Sequence, residues 1–304
     1  MLNVLYLQIA IVLLIVVGIV LKKIKIISEQ GKKELTNLVI YLILPCNILK
    51  AFMVDFQAGM GADFVKIVVI STAIQLFSLI YGRVGFRRLP KDKRKCIAYG
   101  IICSNAGFLG NPIAEGVYGE YGLLLASLFL IPLRIMMWTE GVASFSGETD
   151  LKSTIKKVIT HPCILACIVG LLLMLTGLDL PTPITNTIGF IGQCNTAFSM
   201  IVIGMILADI DLKSFGDLDV LKYCLHRLVI IPLIVFIVLK LIGISGTVLG
   251  LSVILVAMPA GATTSILAEK YNVESVFATK LVVVSTALSV IAIPIWNYVL
   301  TISG

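Results

Sequence analysis

The chain is a succession of apolar runs, each about as long as a membrane is thick, separated by short polar stretches that hold most of its charges. A helix crossing a hydrocarbon core of roughly 30 Å needs about 20 apolar residues. Runs of that length fall near 4–21, 35–54, 64–82, 95–114, 121–145, 161–178, 185–208, 219–241, 245–268 and 275–301. The pattern therefore predicts an all-α integral membrane protein of ten transmembrane spans. The seventh run opens on polar residues and the ninth contains Pro259 and Gly261, so these two are the least regular.

Composition sharpens this picture. The residues AVILMFWYC make up 59% of 304 positions and the charged residues 13%, with a mean hydropathy of +1.05, whereas soluble domains carry roughly 25% charged residues. The net charge of +7 does not argue for nucleic acid, because the Lys and Arg residues sit in loops and not on one soluble face. Seven cysteines lie in or beside apolar runs with no CxxC and no disulfide framework. Cys163 and Cys167 share a helix face, but neither histidine completes a four-ligand set, so no metal and no cofactor are expected.

The position of the charges orients the spans. The first 21 residues are apolar with no basic residue ahead of them and Lys22, Lys23 and Lys25 behind, the opposite layout to a secretory signal. They read as a retained first helix with an outside N-terminus. Ten spans then make loops 1–2, 3–4, 5–6, 7–8 and 9–10 cytoplasmic. Eighteen Lys and Arg residues fall in those loops, against only Lys50, Lys66 and Lys240 on the other side. By the positive-inside rule this predicts a cytoplasmic-membrane protein with both termini outside.

An internal repeat is visible at an offset of about 150 residues, with TNLVIYLILPCN from Thr36 matching TNTIGFIGQCN from Thr185. It divides the chain into units 1–150 and 151–304 of five helices each, and an odd number forces the units into opposite orientations. The same offset carries span 4 onto span 9, where CSNAGFLGNPIAEG (103–116) matches AMPAGATTSILAEK (257–270). Glycines and prolines crowd both stretches, so both helices should break there. Freed backbone groups must be buried in protein or line a cavity. One such break is explained by a packing kink with small residues; a symmetry-related pair favours two broken helices that cross. Helix N-termini meeting at a crossing suit a carboxylate. The candidate binding residues are Asn105, Asn111, Pro112, Pro259, Thr263 and Thr264. Asn47 and Asn195, on spans 2 and 7, either line the same cavity or bond one helix to the other.

These stretches resemble the auxin efflux carrier family, whose members include plant auxin exporters and bacterial malate or malonate permeases. The resemblance rests on NAGFLGNPIAEGVYGE in span 4, MPAGATTSILAEKYNVE in span 9 and KLVVVSTALSVIAIP in span 10. It implies two inverted five-helix repeats, a scaffold of helices 1, 2, 6 and 7, and a moving part of helices 3–5 and 8–10. It also implies a homodimer and elevator-like movement. The long central loop of the plant exporters is absent, with loop 5–6 spanning only about 145–160, which favours the short bacterial type over auxin transport.

Charges within the spans mark function by default. Arg134 lies roughly 18 Å from the outer end of span 5 at ~1.5 Å per residue, near the midplane, where it can hold a substrate carboxylate through its planar fork. The bland alternative is an ion pair with Glu140. Lys280 and Arg227 lie nearer cytoplasmic ends and read as snorkelling residues. Glu115 and Glu140 are candidates for proton coupling but sit close to helix ends, where solvation accounts for them; sodium coupling is equally compatible with the sequence. The whole predicts a secondary carrier for a small organic anion, a mono- or dicarboxylate, embedded in the lipid bilayer. No HExxH, GxSxG or intramembrane Asp pair points to an enzyme. The alternative is a channel, or a sensor that binds solute without a carrier cycle.

Overall fold

The computed structural model describes residues 2–53, 59–141, 144, 145, 156, 159–208 and 212–303. Among these every regular element is a helix, apart from one antiparallel bridge between Ser104 and Ala260. In chain order the helices are α1 (Leu2–Lys23), α2 (Glu29–Phe52), α3 (Met60–Gly85), α4 (Lys91–Ile102), α5 (106–118), α6 (120–141), α7 (Pro162–Thr176), α8 (Thr182–Ala208), α9 (Leu218–Leu241), α10 (Gly246–Val256), α11 (Thr263–Lys270) and α12 (Ser275–Ser303). Each predicted span coincides with one of them or, for spans 4 and 9, with a consecutive pair. Six continuous helical stretches among the described residues are long and apolar enough to cross a membrane. The chain is thus a multi-pass, all-α membrane protein.

One of those six, Ala106–Thr139, is two helices joined at a turn. Gly119 has φ 67° and ψ −161°, a conformation that side chains other than glycine's strongly disfavour. It ends α5 and starts α6, close to the boundary that hydrophobicity drew between spans 4 and 5.

Three helices widen into a π turn two residues ahead of a proline: Val39–Ile43 before Pro45, Ala106–Gly110 before Pro112, and His226–Ile230 before Pro232. Proline has no N–H to donate and its ring crowds the carbonyl four residues back, so the preceding turn opens. Two of these wide turns, in α5 and α9, carry residues of the site described below, a recurrent association.

The helices pack in two groups. In one, α1 lies along the second half of α8, while α2 contacts both α7 and the first half of α8. In the other, α3 packs on α4, α5 and α6, and α12 on α9, α10 and α11. The α1–α8 contact is backbone on backbone: a Cβ on Gly18 would overlap the Ile201 carbonyl, and one on Gly204 the Ile15 carbonyl. Gly204→Leu is therefore expected to lower the melting temperature of the purified protein by an overpacking cost of about 1–3 kcal/mol. An unchanged melting curve would show that the two helices separate freely.

Candidate functional site

The two broken helices meet, and their backbone polar groups can be followed one by one. α4 stops because Cys103 turns extended, with φ −103° and ψ 93°. α10 stops because Pro259 disfavours helical geometry at Met258 and offers no donor. The exposed ends then bond each other: Asn105 N–H donates to the Pro259 carbonyl at 2.8 Å, and Gly261 N–H to the Cys103 carbonyl at 2.9 Å. Gly261 admits this approach, since a Cβ there would lie 3.2 Å from both the Cys103 carbonyl oxygen and Sγ. The carbonyls at the end of α4 are taken in turn. Tyr99 accepts from Cys103 N–H at 2.7 Å, Gly100 from the Tyr223 hydroxyl at 2.9 Å, and Ile101 from Arg227 Nη1 at 2.9 Å. The Ala260 N–H donates to Ser285 Oγ at 3.1 Å.

Beyond the bridge each chain begins a new helix, and neither start has a side-chain cap. Both starts face the same turn of α6. Arg134 is 5% exposed, and its Nη2 would lie 3.6 Å from a Cβ on Gly107, within the first turn of α5. One turn along, Met137 Sδ lies 3.9 Å from Thr263 Oγ1 at the start of α11. Thr263 Oγ1 is also 3.2 Å from Cys103 Sγ, and the buried Tyr99 hydroxyl lies beside both. His161, Cys163 and Cys167, at the head of α7, lie in the field of Arg134. A guanidinium thus stands next to the positive end of a helix, and Arg134 Nη1 is buried without an acceptor among the described residues. Asn111 and Thr264 are also fully buried with unpartnered side-chain polar atoms. Two positive groups held together in a low-dielectric setting raise each other's energy, and an anion bonded to both lowers it.

The remaining sequence-predicted residues are placed as follows. Asn195 Nδ2 donates to Asn47 Oδ1 at 3.1 Å, and Ser199 Oγ to Asn195 Oδ1 at 3.2 Å. Asn47 Nδ2 donates to the Gly192 carbonyl at 3.2 Å and to Glu115 Oε2 at 3.1 Å. This pair therefore joins α2 to α8. Glu115 is half-buried against Asn47 instead of solvated, and Lys50 pairs with Glu120 at 2.9 Å on the same side of the fold. Pro112 sits inside α5, where the π turn ahead of it accommodates the missing N–H and the crowding of its ring. Lys280 is partly exposed with Asp217 at 3.7 Å, as a residue near a helix end should be. Arg227 differs from expectation: it is buried, and its donors reach backbone carbonyls, not a headgroup region. The side chain of Glu140 lies outside the described residues, as does most of loop 5–6.

Asn47→Leu leaves the Asn195 amide and the Gly192 carbonyl without their partner, an expected loss of about 1–3 kcal/mol. The Asn47→Leu/Asn195→Leu double variant should lose less than the sum of the two single variants. Simple additivity in thermal melts would mean that the two amides do not interact.

A family model described as membrane transport protein, that of the auxin efflux carriers, matches residues 4–150 and 148–297. An uncharacterized transporter of Methanocaldococcus jannaschii is 25% identical over 299 residues, covering 95% of this chain and 96% of the relative. One of Methanothermobacter thermautotrophicus is 25% identical over 296 residues, covering 96% of each. A provisionally named malonate transporter of Rhizobium meliloti is 23% identical over 277 residues, covering 84% of this chain and 83% of the relative.

Proposed function

The chain belongs to the auxin efflux carrier family of membrane transport proteins, and from that premise we propose that it is a secondary carrier of a small mono- or dicarboxylate. The observation that carries the reading is the buried guanidinium of Arg134, with Nη1 unpartnered among the described residues, beside the uncapped start of α5. In this reading one substrate carboxylate bonds the Arg134 fork and the backbone amides opening α5. Thr263, Thr264, Asn105 and Asn111 complete recognition, and Pro112 and Pro259 shape the backbone. Asn47 and Asn195 bind no substrate directly and hold α2 against α8. The name of the Rhizobium relative makes malonate the first substrate to test.

The same reading takes the chain as ten spans in two inverted repeats, 1–150 and 151–304, in the cytoplasmic membrane with both termini outside. Its support is that the paired contacts join residues about 150 positions apart: Ser104 with Ala260, and Asn47 with Asn195. As in its family, α3–α6 and α9–α12 would travel past a dimeric scaffold of α1, α2, α7 and α8. The test is radiolabelled malonate in proteoliposomes. A carrier gives saturable uptake that is accelerated by unlabelled malonate inside. Uptake without saturation or exchange would make the protein a channel, and binding without uptake would make it a sensor.

A further inference from the structure

Arg227 belongs to the crossing but not to the proposed anion site beside Arg134, and it is among the most deeply buried charges of the described residues. Its Nε donates to the Met258 carbonyl at 2.9 Å and its Nη1 to the Ile101 carbonyl at 2.9 Å. Ile101 belongs to the last turn of α4, and Met258 lies just past the last turn of α10. One guanidinium thus bonds the carbonyl ends of both first half-helices at once. These ends carry the negative pole of each helix dipole, which compensates a buried cation that no carboxylate pairs with among the described residues.

Carbonyl ends of interrupted helices are also where transporters commonly coordinate a coupling cation. Here the acceptors are filled from within. The side chain comes from the wide π turn ahead of Pro232, and Tyr223, one helical turn earlier, donates to the neighbouring Gly100 carbonyl. α9 therefore grips the ends of both crossing helices and can hold them as one body.

We propose that Arg227 is the resident cation of the crossing. It occupies the carbonyl site that an exchangeable metal ion would otherwise take, it fixes the two half-helices to each other, and it leaves anion transport independent of sodium. Arg227 is a positioning residue: it touches backbone and not substrate. The sodium clause rests on the carrier reading above, whereas the filled carbonyl site does not, so the two can fail separately.

The test has one arm that needs no transport. Arg227→Ala removes the atoms of an ethylguanidinium ion, and that ion, added at millimolar concentration, should raise the melting temperature of the purified variant while leaving the parent unmoved. Arg227→Lys, which keeps the charge but loses the fork, should melt between the parent and Arg227→Ala. In proteoliposomes, parent malonate uptake should run at the same rate in sodium and in choline. Arg227→Ala uptake should fall about 100-fold or more, the scale of losing two charged hydrogen bonds, and ethylguanidinium should restore part of it. The proposal is overturned if parent uptake requires sodium. It is equally overturned if Arg227→Ala melts and transports like the parent, or if ethylguanidinium leaves a folded Arg227→Ala unchanged. Should Arg227→Ala not fold, Arg227→Lys decides: melting and uptake equal to the parent would show that the bidentate grip does not matter. A parent that takes up nothing refutes the carrier reading and leaves the melting arm standing.

Discussion

Gly107→Asp is expected to weaken binding of small carboxylates by roughly 30-fold or more while raising the melting temperature of the ligand-free protein. A Cβ at Gly107 would meet Arg134 Nη2 at 3.6 Å and Leu130 Cδ1 at 3.8 Å, ordinary contact distances, so a Cβ is accommodated without displacing its neighbours. A carboxylate one bond further out falls on the guanidinium. It also sits in the first turn of α5, where negative charge is favoured. The substituent is thus a tethered copy of the proposed substrate group, and free anion must displace it. Breaking such a pair costs about 2–5 kcal/mol, or roughly 30-fold and more in affinity. Gly107→Asn is the control, equal in size but neutral. Equilibrium binding of labelled malonate and thermal melts on both variants are the measurements. If Gly107→Asp and Gly107→Asn behave alike in both, the carboxylate does not reach Arg134 and the geometry of the site is wrong.

Arg134→Gln is expected to lose anion binding by a similar factor, roughly 30-fold or more, with Arg134→Lys in between. Lysine keeps the positive field but presents a point charge where arginine presents a planar fork. The two variants separate field from shape: equal losses would mean that the fork carries recognition, and a silent Lys variant that charge alone suffices. Binding is the proper measurement, because a folded carrier locked in one state also stops transport. Arg134→Gln should leave folding intact or improve it, since it removes a buried charge whose Nη1 has no acceptor among the described residues. If it melts much earlier than the parent while binding malonate normally, Arg134 is structural.

Much of this was legible in the sequence for physical reasons that can be named. Apolar run length fixes where helices lie, because lipid thickness sets the scale. The two breaks were legible because proline and glycine act locally, and their pairing because CSNAGFLGNPIAEG and AMPAGATTSILAEK resemble each other at an offset of about 150 residues. Arg134 stood out because a charge at that depth is costly whatever surrounds it. Arg227 was misread because its partners are backbone carbonyls of Ile101 and Met258, on two other helices, and no side-chain pattern announces a carbonyl. Tyr99 and Cys103 look like ordinary core residues until the crossing sets them beside Thr263. Asn47 and Asn195 were visible at matching places in two similar stretches, but the hydrogen bond between them depends on the distance between two helices far apart in the chain. Gly107 needed the fold most of all, since its importance is the space it leaves next to Arg134.

The most direct test of the central claim is where an anion binds. Bromomalonate soaked into crystals of the protein would give an anomalous bromine signal that locates it without bias. The account predicts that signal beside the Arg134 guanidinium, at the start of α5 and within reach of Thr263. A bromine signal confined to the apolar groove of about 500 Å³ between α9 and α12, lined by Leu221, Leu228, Leu288 and Trp296, or a bound anion with Arg134 uninvolved, would contradict it.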